Sequence, residues 1–150
     1  MNPLEYVQWG ADWAWGVPLI ALNVVIHVFF LALFTAKVET ILHGLKSHRR
    51  FAPTFALVMG IAVTLVTGLH ILEGGIWAFA YRVLGALPDN RSAMLYSLGA
   101  LTTYGHSHIF LESKWQMMGA LEALNGMLLF GLTTAFLFAM IQRVWPAGKR

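Results

Sequence analysis

Residues 102–108 read Thr102-Thr103-Tyr104-Gly105-His106-Ser107-His108, a run of hydroxyls and imidazoles around one glycine. The run lies within 92–111, a stretch without Asp, Glu, Lys or Arg, between longer apolar segments. Non-helical backbone at membrane depth is tolerated only where protein buries it or where it lines water. The nine residues 93–101 before the run are apolar and reach only about 13 Å as a helix, too short to cross. Such a half-helix would aim its partially negative C-terminal end at the membrane centre, which favours a cation. One such loop encloses nothing, so several chains would each contribute one. A plain polar loop outside the membrane is the competing reading. His106 and His108 also suit a transition metal, but two imidazoles in a chain with no cysteine are a poor ligand set, and no metal is assigned to them.

Glu73 and Glu122 lie within or beside apolar helices, where an ionisable side chain is costly and functional by default. For Glu122 a hydrogen bond behind the polar run or its half-helix is favoured over a position facing lipid. Glu73 divides evenly between a buried role and a carboxylate that reaches back to the interface. Asn23 and His27 share one helix face, a turn apart, and are read as helix–helix hydrogen bonding. His27 and His70 each sit in an apolar helix, so axial ligation of haem is a second class of function to weigh.

The elements that must position these residues follow from charge spacing. The composition is 58% hydrophobic and 11% charged, against about 45–50% and 25% in a soluble domain. No Asp, Glu, Lys or Arg occurs in 13–36, 51–72 or 123–142. Each gap is long enough for the roughly 20 residues that span a bilayer. The expected spans are 17–43, 53–84 and 115–145, with Ser92 as N-cap of the half-helix. The first apolar run starts late and lacks a basic leader, so a cleaved signal peptide is not expected.

Seven of the ten Lys and Arg residues, Lys37, Lys46, Arg49, Arg50, Arg143, Lys149 and Arg150, fall on one side of a three-span chain. The positive-inside rule places the N-terminus outside and the C-terminus inside. Tyr6, Trp9, Trp13 and Trp15 then form an outer aromatic belt. Cations so placed suit a membrane and not nucleic acid. The segments are 1–50 (N-terminal segment, first spanning helix and basic loop), 51–145 (the second and third spans with the half-helix and polar run between them) and 146–150 (tail).

Over 55–143 this order of outer helix, short helix, T-x-G-like loop and inner helix resembles the potassium-channel pore domain of the pore-loop cation channel superfamily. Family members read T-T-V-G-Y-G-D where this chain has residues 102–108. Trp115 sits where many members carry a Trp, and Gly126 falls at their hinge glycine. Phe130-Gly131-Leu132-Thr133-Thr134-Ala135 resembles the inner-helix stretch that follows. Gly85-Ala86-Leu87-Pro88 and Glu122-Ala123-Leu124-Asn125-Gly126 are similar to small bacterial members with one extra N-terminal helix.

The resemblance implies an all-α homotetrameric channel in a lipid bilayer, the bacterial inner (plasma) membrane, with no enzymatic activity and no bound cofactor. Thr102, Thr103, Tyr104, Gly105, His106 and Ser107 would line the filter and His108 its outer mouth. Met127, Phe130, Thr134 and Phe138 share one face and would line the cavity; Gly126 would hinge the inner helix and Glu122 support the filter. Gly119 and Gly126 also suit plain close packing. Three departures weaken potassium selectivity, so sodium is expected to pass beside potassium. Ser107 replaces the second glycine and should be strained in a left-handed backbone, at roughly 1–2 kcal/mol. His106 replaces the Tyr that braces the loop. His108 replaces an Asp, exchanging a ring of negative charge for titratable imidazoles. A scaffold passing another ion or none, and a histidine-ligated metal or haem protein, are the alternatives.

Overall fold

The computed structural model describes residues 3–43 and 51–144, and among these every regular element is helical. The basic connection 44–50 and the tail 146–150 lie outside them, as do the side chains of Tyr6, Trp9 and Arg143. Helix α1 is Pro3–His43, α2 is Phe51–Val83, α3 is Asn90–Leu101 and α4 is Gln116–Val144, the last preceded by a 3-10 turn at Ser113–Trp115. Three segments are long and apolar enough to cross a membrane: Gly10–Val38, Ala52–Val83 and Ser113–Gln142. Much of their apolar surface faces outward, at Val25, Phe29, Leu33, Leu57 and Phe79. Such a surface would be costly in water but matches hydrocarbon, which needs only that backbone polar groups be paired inside the helices.

Helix α1 begins earlier than expected, before the aromatic residues, so Trp13 and Trp15 project from a continuous helix and are exposed. Pro18 is tolerated inside it. The N-cap of α3 is Asp89, not Ser92. Asp89 accepts from the Ser92 N–H at 2.9 Å and the Ser92 hydroxyl at 2.7 Å. Asp89 lies one residue outside the helix, where a side-chain oxygen reaches an orphan N–H; Ser92, already inside, donates to it.

The main core packs at one end of the bundle, where Trp77 and Tyr81 of α2 meet Ala93 of α3, Trp115 of the 3-10 turn, and Met118 and Leu121 of α4. Helix α3 is thereby wedged between α2 and α4. A smaller cluster at the other end joins Val38 of α1 to Met140 of α4.

Candidate functional site

Helix α3 has 12 residues, about 18 Å at about 1.5 Å per residue. Its C-terminal turn is seated against glycine on α4: a Cβ built on Gly126 would strike the carbonyl group of Leu101. Gly126 stands ten residues into α4, about 15 Å along the helix. On the other side the Ser97 hydroxyl donates to the Gly74 carbonyl of α2 at 2.6 Å. After α3 the chain turns back, and the Glu112 N–H donates to the Ala86 carbonyl, just beyond the end of α2, at 3.3 Å.

The turn-back is made by residues 102–108. Thr102 ends α3, its hydroxyl donating to the Leu98 carbonyl at 2.6 Å. Thr103 and Gly105 both have positive φ, 58° and 71°, so backbone hand alternates across Thr103-Tyr104-Gly105. Alternation of this kind turns successive carbonyls toward one side. Glycine takes the left-handed region at no steric cost. A β-branched residue there is an outlier that its surroundings must hold in place. The strain expected at Ser107 is therefore found four residues earlier, at Thr103, because Ser107 does not have positive φ. Thr102, Thr103, Gly105, Ser107 and His108 are exposed on the single chain, and Tyr104 is 84% exposed.

The His106 side chain turns away from that exposed edge. Its Nε2 contacts the Leu95 carbonyl, and its ring stacks on Tyr96 at 6.1 Å. A Cβ at Gly99 would collide with it, so this glycine makes room for the imidazole. His106 thus braces the loop against the back of α3. It is tied to α3 and not paired with His108.

Glu122 is fully buried. Tyr81 of α2 donates to Glu122 Oε2 at 2.7 Å, and Ser97 of α3 lies 2.5 Å from Glu122 Oε1. One carboxyl group therefore joins three helices directly behind the α3 C-terminal turn. On α4, Met127, Phe130, Thr134 and Phe138 are all exposed on the single chain. Leu132 is exposed as well, so exposure alone does not separate their face from its flank.

A second polar cluster lies where α1, α2 and α4 meet. His27 Nδ1 is 2.9 Å from Glu73 Oε1, and His70 Nδ1 is 3.1 Å from Glu73 Oε2. The opposite ring nitrogens converge on one hydroxyl, with Thr133 Oγ1 3.1 Å from His27 Nε2 and 3.3 Å from His70 Nε2. His27 and Glu73 are fully buried and His70 is 8% exposed. The Asn23 side-chain amide donates to the Glu73 backbone carbonyl at 3.5 Å. Asn23 and His27 do serve helix–helix hydrogen bonding, but their partner is Glu73, which does not reach back to the interface. Sequence reasoning missed this grouping. The available signal was His70-x-x-Glu73, two polar residues on one face of an apolar helix.

No protein-family model matches this chain, and no curated protein or solved structure matches it either.

Proposed function

We propose that this chain is one subunit of a homotetrameric, potassium-channel-like cation channel of the pore-loop type, with weakened potassium selectivity. The observation that carries this reading is the path of the chain from Ala86 to Glu112. It enters as α3, ends beside Gly126 about 15 Å along α4, and returns to the level of Ala86. Set in a hydrocarbon layer of about 30 Å, such a path would reach about halfway and return, which supports reading it as a re-entrant loop. Its helix ends where a permeant cation would sit, so the C-terminal carbonyl dipoles of α3 favour that cation. The alternation at Thr103 and Gly105 supports carbonyl coordination in the inner half of the filter. The loop is exposed on one chain, and exposed irregular backbone at this depth requires neighbouring copies or a water-filled lumen.

In this reading Thr102 to Ser107 line the filter through backbone and hydroxyl oxygens, His106 acting through its carbonyl while its ring braces α3. His108 stands at the mouth. Met127, Phe130, Thr134 and Phe138 face the cavity below, Glu122 anchors the short helix, and Gly126 is the bending point. The N-terminus lies outside. The clamped pair His27 and His70 counts against haem ligation, since their rings lie 5.2 Å apart with both Nδ1 atoms turned to one carboxylate, which leaves no space for a porphyrin between them. A channel-like scaffold that passes another ion, or none, shares the same fold.

Assembly is the test. Native mass measurement in detergent should give four times the chain mass. A stable monomer or dimer would overturn the proposal, because neither closes a ring of loops.

A further inference from the structure

The four contacts among His27, His70, Glu73 and Thr133 are one hydrogen short. Each neutral imidazole carries one N–H, the Thr hydroxyl carries one O–H, and an ionised carboxylate carries none. Three hydrogens cannot fill the four contacts measured between these groups. Either a fourth hydrogen or a cation that takes the place of hydrogens must complete the cluster.

We propose that His27, His70 and Glu73 bind a divalent transition-metal ion of the zinc class, through the two Nδ1 atoms and the Glu73 carboxylate. Candidate ligand atoms of the three residues lie within 4.8 Å of one another. Bonds of about 2.0–2.2 Å at tetrahedral angles put zinc ligands roughly 3.3 Å apart. The observed N···O separations of 2.9 and 3.1 Å therefore need to open by only a few tenths of an ångström.

The outer atoms suit a metal as well. A ligating imidazole donates its other N–H to a fixed acceptor, which sets tautomer and ring orientation. With both Nδ1 atoms on the metal, both Nε2–H groups donate to Thr133 Oγ1, whose two lone pairs accept them. Each of the four ring nitrogens then has a partner without an added proton. Asn23 is the independent sign of a ligand. It is fully buried beside Glu73, and its Oδ1 has no hydrogen-bond partner among the described residues. Two imidazoles and one carboxylate make a nitrogen–oxygen site, which selects zinc-like ions over magnesium or calcium.

The site would clasp α1 to the pore unit, because His27 belongs to α1, His70 and Glu73 to α2, and Thr133 to the inner helix α4. It does not depend on the pore reading, since one chain supplies every ligand.

Purified full-length protein, stripped with chelator and dialysed against Zn2+ in detergent, should retain one zinc per chain. Loading with Co2+ instead should give the visible d–d band of a tetrahedral nitrogen–oxygen site, without the intense band of haem. His27→Gln and Glu73→Gln should each abolish the cobalt band. Thr133→Val should weaken metal affinity about 10–100-fold, the usual cost of losing an outer hydrogen-bond partner. His108→Ala should leave stoichiometry and spectrum unchanged. Wild-type protein that takes up neither ion would overturn the proposal and leave an extra proton as the fourth hydrogen. Equal binding by wild type, His27→Gln and Glu73→Gln would overturn it too. If those variants fail to fold, the wild-type stoichiometry and cobalt spectrum still decide.

Discussion

Replacing Glu122 separates two accounts of the bond network behind α3. Ser97 Oγ lies 2.6 Å from the Gly74 carbonyl and 2.5 Å from Glu122 Oε1. A hydroxyl has one hydrogen for these two acceptors. The arrangement closes if Glu122 carries its own proton, so that the carboxyl O–H faces Ser97 while Ser97 donates to Gly74. Tyr81 donates to the other carboxyl oxygen. A glutamine at 122 reproduces this pattern, its amide N–H facing Ser97 and its carbonyl accepting from Tyr81. Glu122→Gln should therefore change stability by less than about 1 kcal/mol.

Glu122→Leu keeps the volume but strands the buried Tyr81 hydroxyl. An unsatisfied buried donor costs about 1–3 kcal/mol, and each lost bond between membrane helices averages about 0.6 kcal/mol. With Ser97 still satisfied by Gly74, the expected loss is about 2–4 kcal/mol. Reversible unfolding in mixed micelles with increasing denaturing detergent reads both variants. If glutamine destabilises as much as leucine, the hydrogen count is wrong and Glu122 is held as a carboxylate.

Gly126→Ala should be the more damaging of two matched glycine changes. Its Cβ meets the backbone of Leu101, whereas that of Gly119→Ala meets the movable hydroxyl end of Tyr96. Overpacking costs about 1–3 kcal/mol, and equal melting temperatures for the pair would refute the contact. Thr103→Gly should raise stability by roughly 1–2 kcal/mol through relief of its left-handed backbone, while Ser107→Gly should gain little; the reverse order in thermal melts would restore the strain to Ser107. Hydrogen bonds from the Ser92 N–H and hydroxyl hold the Asp89 carboxyl below its ordinary range. Its contribution is complete above the unfolded value of about 3.9 and is lost as pH falls through the lower folded value. Asp89→Asn caps without titrating and should flatten that part of the acid unfolding curve; an unchanged curve would remove the assignment. Cysteine at position 134 should react with a water-soluble thiol reagent from the inner side, and cysteine at 132 should not. Equal reactivity would dissolve the cavity face.

The three spans were legible because charge is excluded from hydrocarbon, and the gaps at 13–36, 51–72 and 123–142 mark them directly. Helix α3 was legible from its length and from the polar run that ends it. Its cap was misplaced because Asp89 and Ser92 are both good cap residues, and only backbone geometry chooses between them. The strain moved from Ser107 to Thr103 for a similar reason. The resemblance implies a left-handed residue near Gly105, but the hydrogen bonds that close α3 decide on which side it falls. Thr103 N–H donates to Ala100 and Gly105 N–H to Gly99, which fixes the backbone there. The His27, His70, Glu73 and Thr133 cluster was not legible, because its members come from three helices and their depths in the bundle must agree before they meet.

The central claim is that four of these loops surround a cation path. It is tested most directly by the reversal potential of purified protein in planar bilayers under a potassium chloride gradient. The account predicts a current that reverses close to the potassium equilibrium potential, with sodium carrying appreciable current when substituted. A current that reverses at the chloride potential, or none from protein shown to be folded and tetrameric, would contradict it.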